Sequence, residues 1–405
     1  MPLSKVYDIT IVGGGIVGLA TAYKLQKKYP DLTLAVLEKE DRLASHQTGR
    51  NSGVIHSGLY YRPGSYRATN CVNGRKQLVA FAKAYDIDYD VCGKIVVATQ
   101  EEELPRLEKI RENGIKNGLV GIEVIDKDRI KEIEPYIEGI KALWVPESGI
   151  IDFKGVTIKL AELIKEINPE SEIITNCEVK HLEKGEISKV YTNLGTYKSR
   201  YLVFCAGLHS DRMARKDKVN LDMRIVGFRG DYYDLTEVGM KKIKNLVYPV
   251  PNPEFPFLGV HFTRMTDGTI ECGPNAVFTF KREGYGKTDF NIVDTVEALL
   301  YKGTWKLFFK HWRFGLNEYK RAFSKRLFLK QLQRMCPGLT MDDIKPGRSG
   351  VRAMALGDTG DVIDDFKIEC QDRSIHVLNA PSPAATACLA IGDEVMAMAE
   401  KHFGL

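Results

Sequence analysis

The sequence predicts an α/β protein. A nucleotide-binding domain of mostly parallel strands is interrupted by the segments of a second, mostly antiparallel sheet with helices. Three observations predict it. Residues 7–38 read as one strand–helix–strand unit that carries a Gly-x-Gly-x-x-Gly turn. Short apolar runs at 7–12, 32–37, 201–205 and 375–378 have the composition of strands buried on both faces. They come from the start, middle and end of a 405-residue chain, so that domain is discontinuous. Finally, 223–280 is strand-rich and 290–332 mainly helical, which supplies the second body.

In chain order, the run at 7–12 is β-branched and apolar, and Gly13 to Gly18 follow it. A helical pattern then runs to Lys27 and Lys28 and stops at Pro30. The second strand, 32–37, closes on Glu38. Residues 45–64 are too rich in Gly, Ser and His to be regular throughout. Helices are expected at 68–84, 101–117, 155–166 and 384–400, and strands at 94–99 and 172–179. A hairpin is expected from 188–192 and 197–198 around Asn193, Leu194 and Gly195. These elements divide into a nucleotide-binding domain of 1–90, 151–215 and 346–405 and a substrate domain of 91–150 and 216–345.

The composition is that of an ordinary globular protein, 44% hydrophobic and 27% charged. Its longest uncharged apolar stretch, 9–23, is too short to span a bilayer and is broken by glycines. The N-terminus has no secretory or transit signature, so a cytoplasmic location is the default expectation. The eight cysteines form no C-x-x-C pair and no Cys/His cluster with metal spacing, so no metal is expected. Net charge is +5, but 301–335 holds ten Lys/Arg against one acid, Glu318, and is rich in Trp, Phe and Tyr. Two readings of that segment stay open: a face for anionic lipid at the inner side of a membrane, or a solvated helix pair with its aromatics in the core. Nucleic acid is not an expected partner, because no nucleic-acid-binding motif accompanies the charge.

The turn Gly13-Gly14-Gly15-Ile16-Val17-Gly18 has a physical meaning at each glycine. The first permits the tight turn, the second lets a pyrophosphate approach the backbone, and the third lets helix pack on strand. The helix start offers free N–H groups to the phosphates. Glu38 stands twenty residues past Gly18, where a carboxylate can accept from ribose hydroxyls. One fingerprint leaves no seat for a second nucleotide. The later run 201–211, YLVFCAGLHSD, ends its strand in Ala206-Gly207, as FAD domains do. FAD is therefore the expected cofactor.

The segment 45–61, SHQTGRNSGVIHSGLYY, is dense in hydrogen-bonding groups and has little reason to be core. It resembles the L-2-hydroxyglutarate dehydrogenase/oxidase family, among the flavoproteins related to glycine oxidase and glycerol-3-phosphate dehydrogenase. So do FRGDYY at 228–233, YPVP at 248–251, FPFLGVHF at 255–262, GPNA at 273–276, FKREGY at 280–285, GVR at 350–352 and NAPSPAAT at 379–386. Arg50 departs from the family, which usually has His there. The resemblance implies a Rossmann-like FAD-binding domain and oxidation of L-2-hydroxyglutarate to 2-oxoglutarate, with hydride passing from C2 to the flavin. It leaves oxygen, a quinone or an electron-transfer protein open as the final acceptor. An amine or amino-acid oxidase of the same fold and a non-catalytic membrane-docking flavoprotein subunit are the alternatives.

A 2-hydroxy diacid needs a base for its hydroxyl proton and cations or donors for its carboxylates. His56, in the polar loop, is the first candidate base and His261 the second. Arg352 is the candidate carboxylate clamp, because a guanidinium matches a carboxylate bidentately. Tyr61, Arg229, Tyr248 and Ser382 are further substrate contacts. Cofactor contacts are expected from Gly13, Gly15, Ile16, Val17 and Gly18, from Glu38 and Lys39, and from Gln47, Thr48, Ser52 and Gly53 in the polar loop. Val179, Ala206, Gly207 and Asn379 complete the set, the last at the flavin's pyrimidine edge. His46, His56 and Cys71 could in principle attach FAD covalently; none is expected to.

Overall fold

A computed structural model describes residues 5–252 and 259–405. The stretch 255–258 of the motif at 255–262, and the first four residues of the chain, lie outside the described residues.

The first sheet is built around Val6–Val12, which is buried because strands flank it on both sides and helices cover it. Its parallel neighbours are Leu34–Leu37 and Gly195–Phe204. Glu172–Ile174 extends the sheet in parallel beyond Leu34–Leu37, and Ser374–Asn379 pairs in parallel with Gly195–Phe204. Thus strands from both ends and the middle of the chain share one sheet. The helices Ile16–Lys28, Phe153–Ile167, Tyr66–Ala84 and Cys388–Ala399 pack against it and around one another. Leu19, Leu25, Leu34, Val36, Val156, Ile164, Ile391 and Val395 form the heart of that core.

Two strand expectations are corrected here. The run 172–179 is not one strand. Glu172–Ile174 follows the parallel edge, Asn176 turns the chain with φ 53°, and Val179–Glu183 starts an antiparallel strand against Ser188–Thr192. Conversely, the hairpin strand and the run 201–205 are one ten-residue strand, Gly195–Phe204. Its outer half pairs antiparallel with Ser188–Thr192 and its inner half parallel with Val6–Val12. Composition cannot reveal such a strand, because its two halves are buried to different depths.

Among the described residues the second sheet has nine strands and a single parallel pair, Lys94–Ala98 with Leu246–Pro249. Its longest ladder joins Met223–Leu235 to Ile344–Gly357. The boundary drawn at 346 therefore cuts through a strand of this second sheet. The run at 344–357 hid it, because it is polar and glycine-containing and its burial does not alternate along the strand. The C-terminal helix starts at Cys388 rather than 384, after the turns that follow the cis Ser382–Pro383 peptide. A small third sheet of Val54–Ile55, Gly149–Ile151 and Tyr89–Asp90 ties the polar loop to the frame.

Of the two readings of 301–335, the one that puts its aromatics in the core holds for only part of them. Phe328 is buried, and Tyr301, Phe308 and Tyr319 pack against a buried cluster, but Phe309 is 73% exposed, and Trp305, Trp312 and Phe323 also face solvent. They lie on Lys302–Phe323, which is kinked at His311, and are interspersed with lysines and arginines. Among the described residues no helix is long and apolar enough to cross a membrane.

Candidate active site

One cavity of about 1390 Å³ runs from the glycine turn of the first sheet to the face of the second. It lies beyond the carboxyl ends of Val6–Val12 and Gly195–Phe204, where open α/β sheets bind ligands.

At one end the backbone makes the site. Gly13 has φ 116°, and a Cβ there would lie 2.4 Å from the Cys205 carbonyl oxygen. A Cβ on Gly18 would lie 2.1 Å from the Gly13 carbonyl oxygen. These two glycines let helix, strand and turn close on one another. Gly15 differs: it caps the helix Ile16–Lys28, and its Cβ would meet only the Thr48 hydroxyl, at 3.4 Å. Gly15, Ile16 and Val17 line the cavity, so the helix start faces it. The Thr48 hydroxyl accepts from the Ile16 N–H at 3.1 Å.

Glu38 is buried at the end of the second strand. Its two carboxylate oxygens accept from the N–H groups of Gly14 (2.8 Å) and Glu40 (2.9 Å). Each oxygen keeps a further lone pair for a ribose hydroxyl. Val179, Ala206 and Gly207 line the same region. The Gln47 side-chain oxygen accepts from the Ala353 N–H at 3.1 Å, which ties the polar loop to the second sheet. Ser52 lines the cavity, and Gly53 turns the chain at φ 66°. A glycine cradle, a helix start and a fixed carboxylate in this order fit the pyrophosphate and ribose of a bound dinucleotide.

Lys39 is engaged differently. Its ammonium bonds Glu40 (2.7 Å) and Glu283 (2.5 Å). His46 reaches both carboxylates, and His209 reaches Glu283. Glu40, His46 and Glu283 offer ligand atoms within 4.8 Å of one another, but the lysine supplies the positive charge between the carboxylates. This ion-pair cluster closes the cavity rim between the two sheets.

At the other end side chains make the site. His261 stands on His261–Arg264, 4% exposed, with its ring stacked 4.0 Å from that of Tyr248. Its Nδ1 lies 2.8 Å from the Gly259 carbonyl oxygen. A carbonyl only accepts, so Nδ1 carries the proton and Nε2 keeps its lone pair. His56 is held by its main chain: its N–H donates to the Thr386 hydroxyl, and its carbonyl accepts from the Cys71 thiol. Burial, reinforced by surrounding cations, pushes the pKa of His56 down to about 3, and burial does the same for His261. Both imidazoles are neutral at ordinary pH. The cations acting most strongly on His56 are Lys94, Arg67 and Arg352.

Arg352, Tyr61, Tyr248 and Ser382, the expected clamp and substrate contacts, line this end. Tyr61 and Tyr248 are buried, and burial raises both phenols. Arg229 does not come here. It is 4% exposed, paired with Asp231 at 2.8 Å, and donates to the Gly286 carbonyl, outside the cavity lining. Neighbouring residues of a strand point to opposite sides, so Gly230 faces the cavity and Arg229 cannot. Asn379 lines the cavity, but its side-chain amide donates to the carbonyls of Ile363 and Asp365 and fastens that loop. The Cys71 thiol is buried and its pKa is pushed up to about 12, which disfavours the thiolate that a covalent bond to flavin would need.

Three residues of this end escaped the sequence reading. Arg67 lies over the Tyr61 ring, 4.6 Å from its centroid, and its Nε donates to the Ser382 carbonyl at 3.0 Å. The Tyr60 hydroxyl is buried without a hydrogen-bond partner among the described residues. Lys94 is 1% exposed and opens a strand that composition marks simply as apolar. The only available signal was a lysine at the head of a fully buried run.

With the geometry in place, comparison with known proteins is specific. Residues 8–398 match the family model described as FAD dependent oxidoreductase. The chain is 45% identical, over 98% of its length and 100% of the relative's, to L-2-hydroxyglutarate dehydrogenase of Indibacter alkaliphilus. It is 42% identical to L-2-hydroxyglutarate dehydrogenase of Escherichia coli K12, over 96% of this chain and 92% of that one. The fold also matches L-alpha-glycerophosphate oxidase of Mycoplasma pneumoniae, solved with FAD bound, with a TM-score of 0.79 and 24% identity over 96% and 94% of the two chains.

Proposed function

The chain belongs to the FAD-dependent oxidoreductase family, and from that premise we propose that it oxidises L-2-hydroxyglutarate to 2-oxoglutarate. The observation that carries this reading is the chamber around His56 and His261, where a neutral base sits among cations and tyrosine hydroxyls. That arrangement suits a substrate with one hydroxyl to deprotonate and two carboxylates to hold. The near full-length likeness to L-2-hydroxyglutarate dehydrogenases agrees with it.

Bound FAD supplies the two-electron acceptor for the hydride leaving C2. The chain does the rest. Gly15, Ile16 and Val17 would receive the pyrophosphate of FAD, and Glu38 its ribose. Arg352 pairs with a substrate carboxylate, with Arg67, Tyr61 and Tyr248 around it. His261 Nε2 takes the hydroxyl proton as the C2–H bond breaks and the C2=O bond forms, because the Gly259 carbonyl fixes its tautomer. His56, whose main-chain N–H and carbonyl are both bonded, lines the chamber beside it. The negative charge of a bound dianion favours imidazolium and so opposes the burial that holds His261 at about 3.

The electrons then leave to an acceptor met at the protein surface. The exposed aromatic and basic face of Lys302–Phe323 supports a dock on anionic lipid, which would bring a membrane quinone within reach. The deciding experiment is anaerobic mixing of the holoenzyme with L-2-hydroxyglutarate. Bleaching of the flavin with one equivalent of 2-oxoglutarate formed is expected. Bleaching by glycine, sarcosine or proline instead would assign the chain to amine oxidation.

A further inference from the structure

Lys94 is among the largest fully buried side chains of the protein. It stands at the head of Lys94–Ala98, on the sheet face that also carries Val96, Tyr248 and, across the next strand, His261. Its ammonium lies 4.6 Å from the centroid of the Tyr60 ring and 4.8 Å from that of Tyr248. Both rings line the cavity, whereas Lys94 does not. Among the described residues no carboxylate lies within ion-pair distance of it. A buried cation without a counter-ion is costly, and two tyrosine faces offset only part of that cost. A dianion in the chamber would supply the missing negative charge.

We propose that Lys94 is a positioning residue whose buried ammonium, seated behind Tyr60 and Tyr248, makes the chamber selective for a doubly charged hydroxy acid and couples that selectivity to pH. The proposal rests on the reading of the substrate as L-2-hydroxyglutarate. It requires Lys94 to gain and lose its proton near neutrality, and its surroundings agree: burial pushes its pKa down from the usual lysine range to about 7.

The titratable and charged groups facing Lys94 can be named from each packed element. The polar loop brings His56, Tyr60 and Tyr61, the helix Tyr66–Ala84 brings Arg67 and Cys71, and the sheet brings Tyr248, His261 and Arg352. Burial moves the two histidines to about 3 and Cys71 to about 12, and raises the three phenols. Lys94 alone is left to titrate near neutral pH within that set. The sign follows. Below neutrality Lys94 is charged and attracts the diacid; as pH rises through about 7 the charge, and the attraction, are lost.

The test is calorimetric binding of 2-oxoglutarate to oxidised holoenzyme between about pH 6 and about pH 8.5, a window in which both ligand carboxylates stay ionised. Wild type is expected to bind about tenfold more weakly at the upper end. K94M is expected to bind weakly and without that slope, and K94R tightly and without it, since an arginine keeps its charge. A flat wild-type profile, or a K94M profile with the wild-type slope, overturns the proposal. The wild-type profile decides alone should either variant lose its flavin. Turnover of L-2-hydroxyglutarate by wild type, run in parallel, separates the two readings. Turnover with flat binding removes only the role of Lys94, and no turnover removes the substrate assignment and the role with it.

Discussion

The two ends of the cavity are built by opposite means. At the glycine turn six consecutive residues do the work, and they do it with backbone. Around His261 the work falls to side chains from the polar loop, the helix Tyr66–Ala84 and three strands of the second sheet. The first end is a local conformation that the fold completes. The second exists only once distant strands have found their register. A substitution at the first end should therefore act on flavin binding, and on folding too where the added atom meets backbone, and one at the second on chemistry with the flavin still bound.

Gly18→Ala is the sharpest test of the first half and the largest expected effect. The added Cβ would sit 2.1 Å from the Gly13 carbonyl, a backbone atom with no room to retreat. The purified protein should carry almost no flavin, read from its flavin-to-protein absorbance ratio, and should melt early. Gly15→Ala is the contrast. Its Cβ meets only the flexible Thr48 side chain at 3.4 Å, so the chain should fold while holding FAD less tightly. Equal behaviour of the two variants would remove the distinction between packing glycine and ligand glycine.

His261→Ala should leave the flavin in place and lower the rate of flavin reduction by about 10²- to 10⁴-fold, the usual range for a general base. His56→Ala should cost less, because what the structure fixes at His56 is its main chain. Rapid-mixing measurement of flavin bleaching compares them directly. The reverse order would make His56 the base.

Arg229→Met and Arg352→Met separate sequence resemblance from geometry. Both arginines lie in motifs shared with the family, yet only Arg352 lines the cavity. Loss of Arg229 leaves Asp231 buried without its ion pair, an effect on the order of 3–5 kcal/mol in unfolding free energy, with little change in KM. Loss of Arg352 should raise KM and spare stability. Thermal melts and steady-state kinetics on both variants check this.

The same contrast explains what could be read from the chain. The glycine turn, Glu38 and the Ala206–Gly207 turn were legible because each is a short contiguous signal with one physical use. His56, His261, Arg352, Tyr61 and Tyr248 were reached through family motifs, and they do line one chamber. Arg229 and the side chain of Asn379 were misplaced, because a motif does not say which way a side chain faces. Lys94, Arg67 and Tyr60 were missed for a related reason. Each takes its meaning from partners that sequence distance hides: Lys94 from Tyr248, Arg67 from Ser382. The long strand Ile344–Gly357 was invisible to alternation, although it carries Arg352 to the site.

Glu38→Gln tests the boundary of the comparison with the smallest expected effect, because Glu38 is a side chain at the backbone-built end. Its carboxylate accepts from two main-chain N–H groups, those of Gly14 and Glu40, which a single amide oxygen cannot do equally well. The glutamine would keep one of these bonds and turn an N–H₂ toward the other donor. It would also accept less strongly from a ribose hydroxyl, since bonds to a charged acceptor are the stronger kind. One weakened bond of this type corresponds to about 1–2 kcal/mol, or roughly tenfold in affinity for FAD. Flavin reduction by substrate should keep its wild-type rate in the fraction that retains flavin, because His261 and Arg352 lie at the far end. If instead the reduction rate falls with the affinity, the two ends are coupled through the cofactor, and the division between a binding end and a reacting end gives way to a single site.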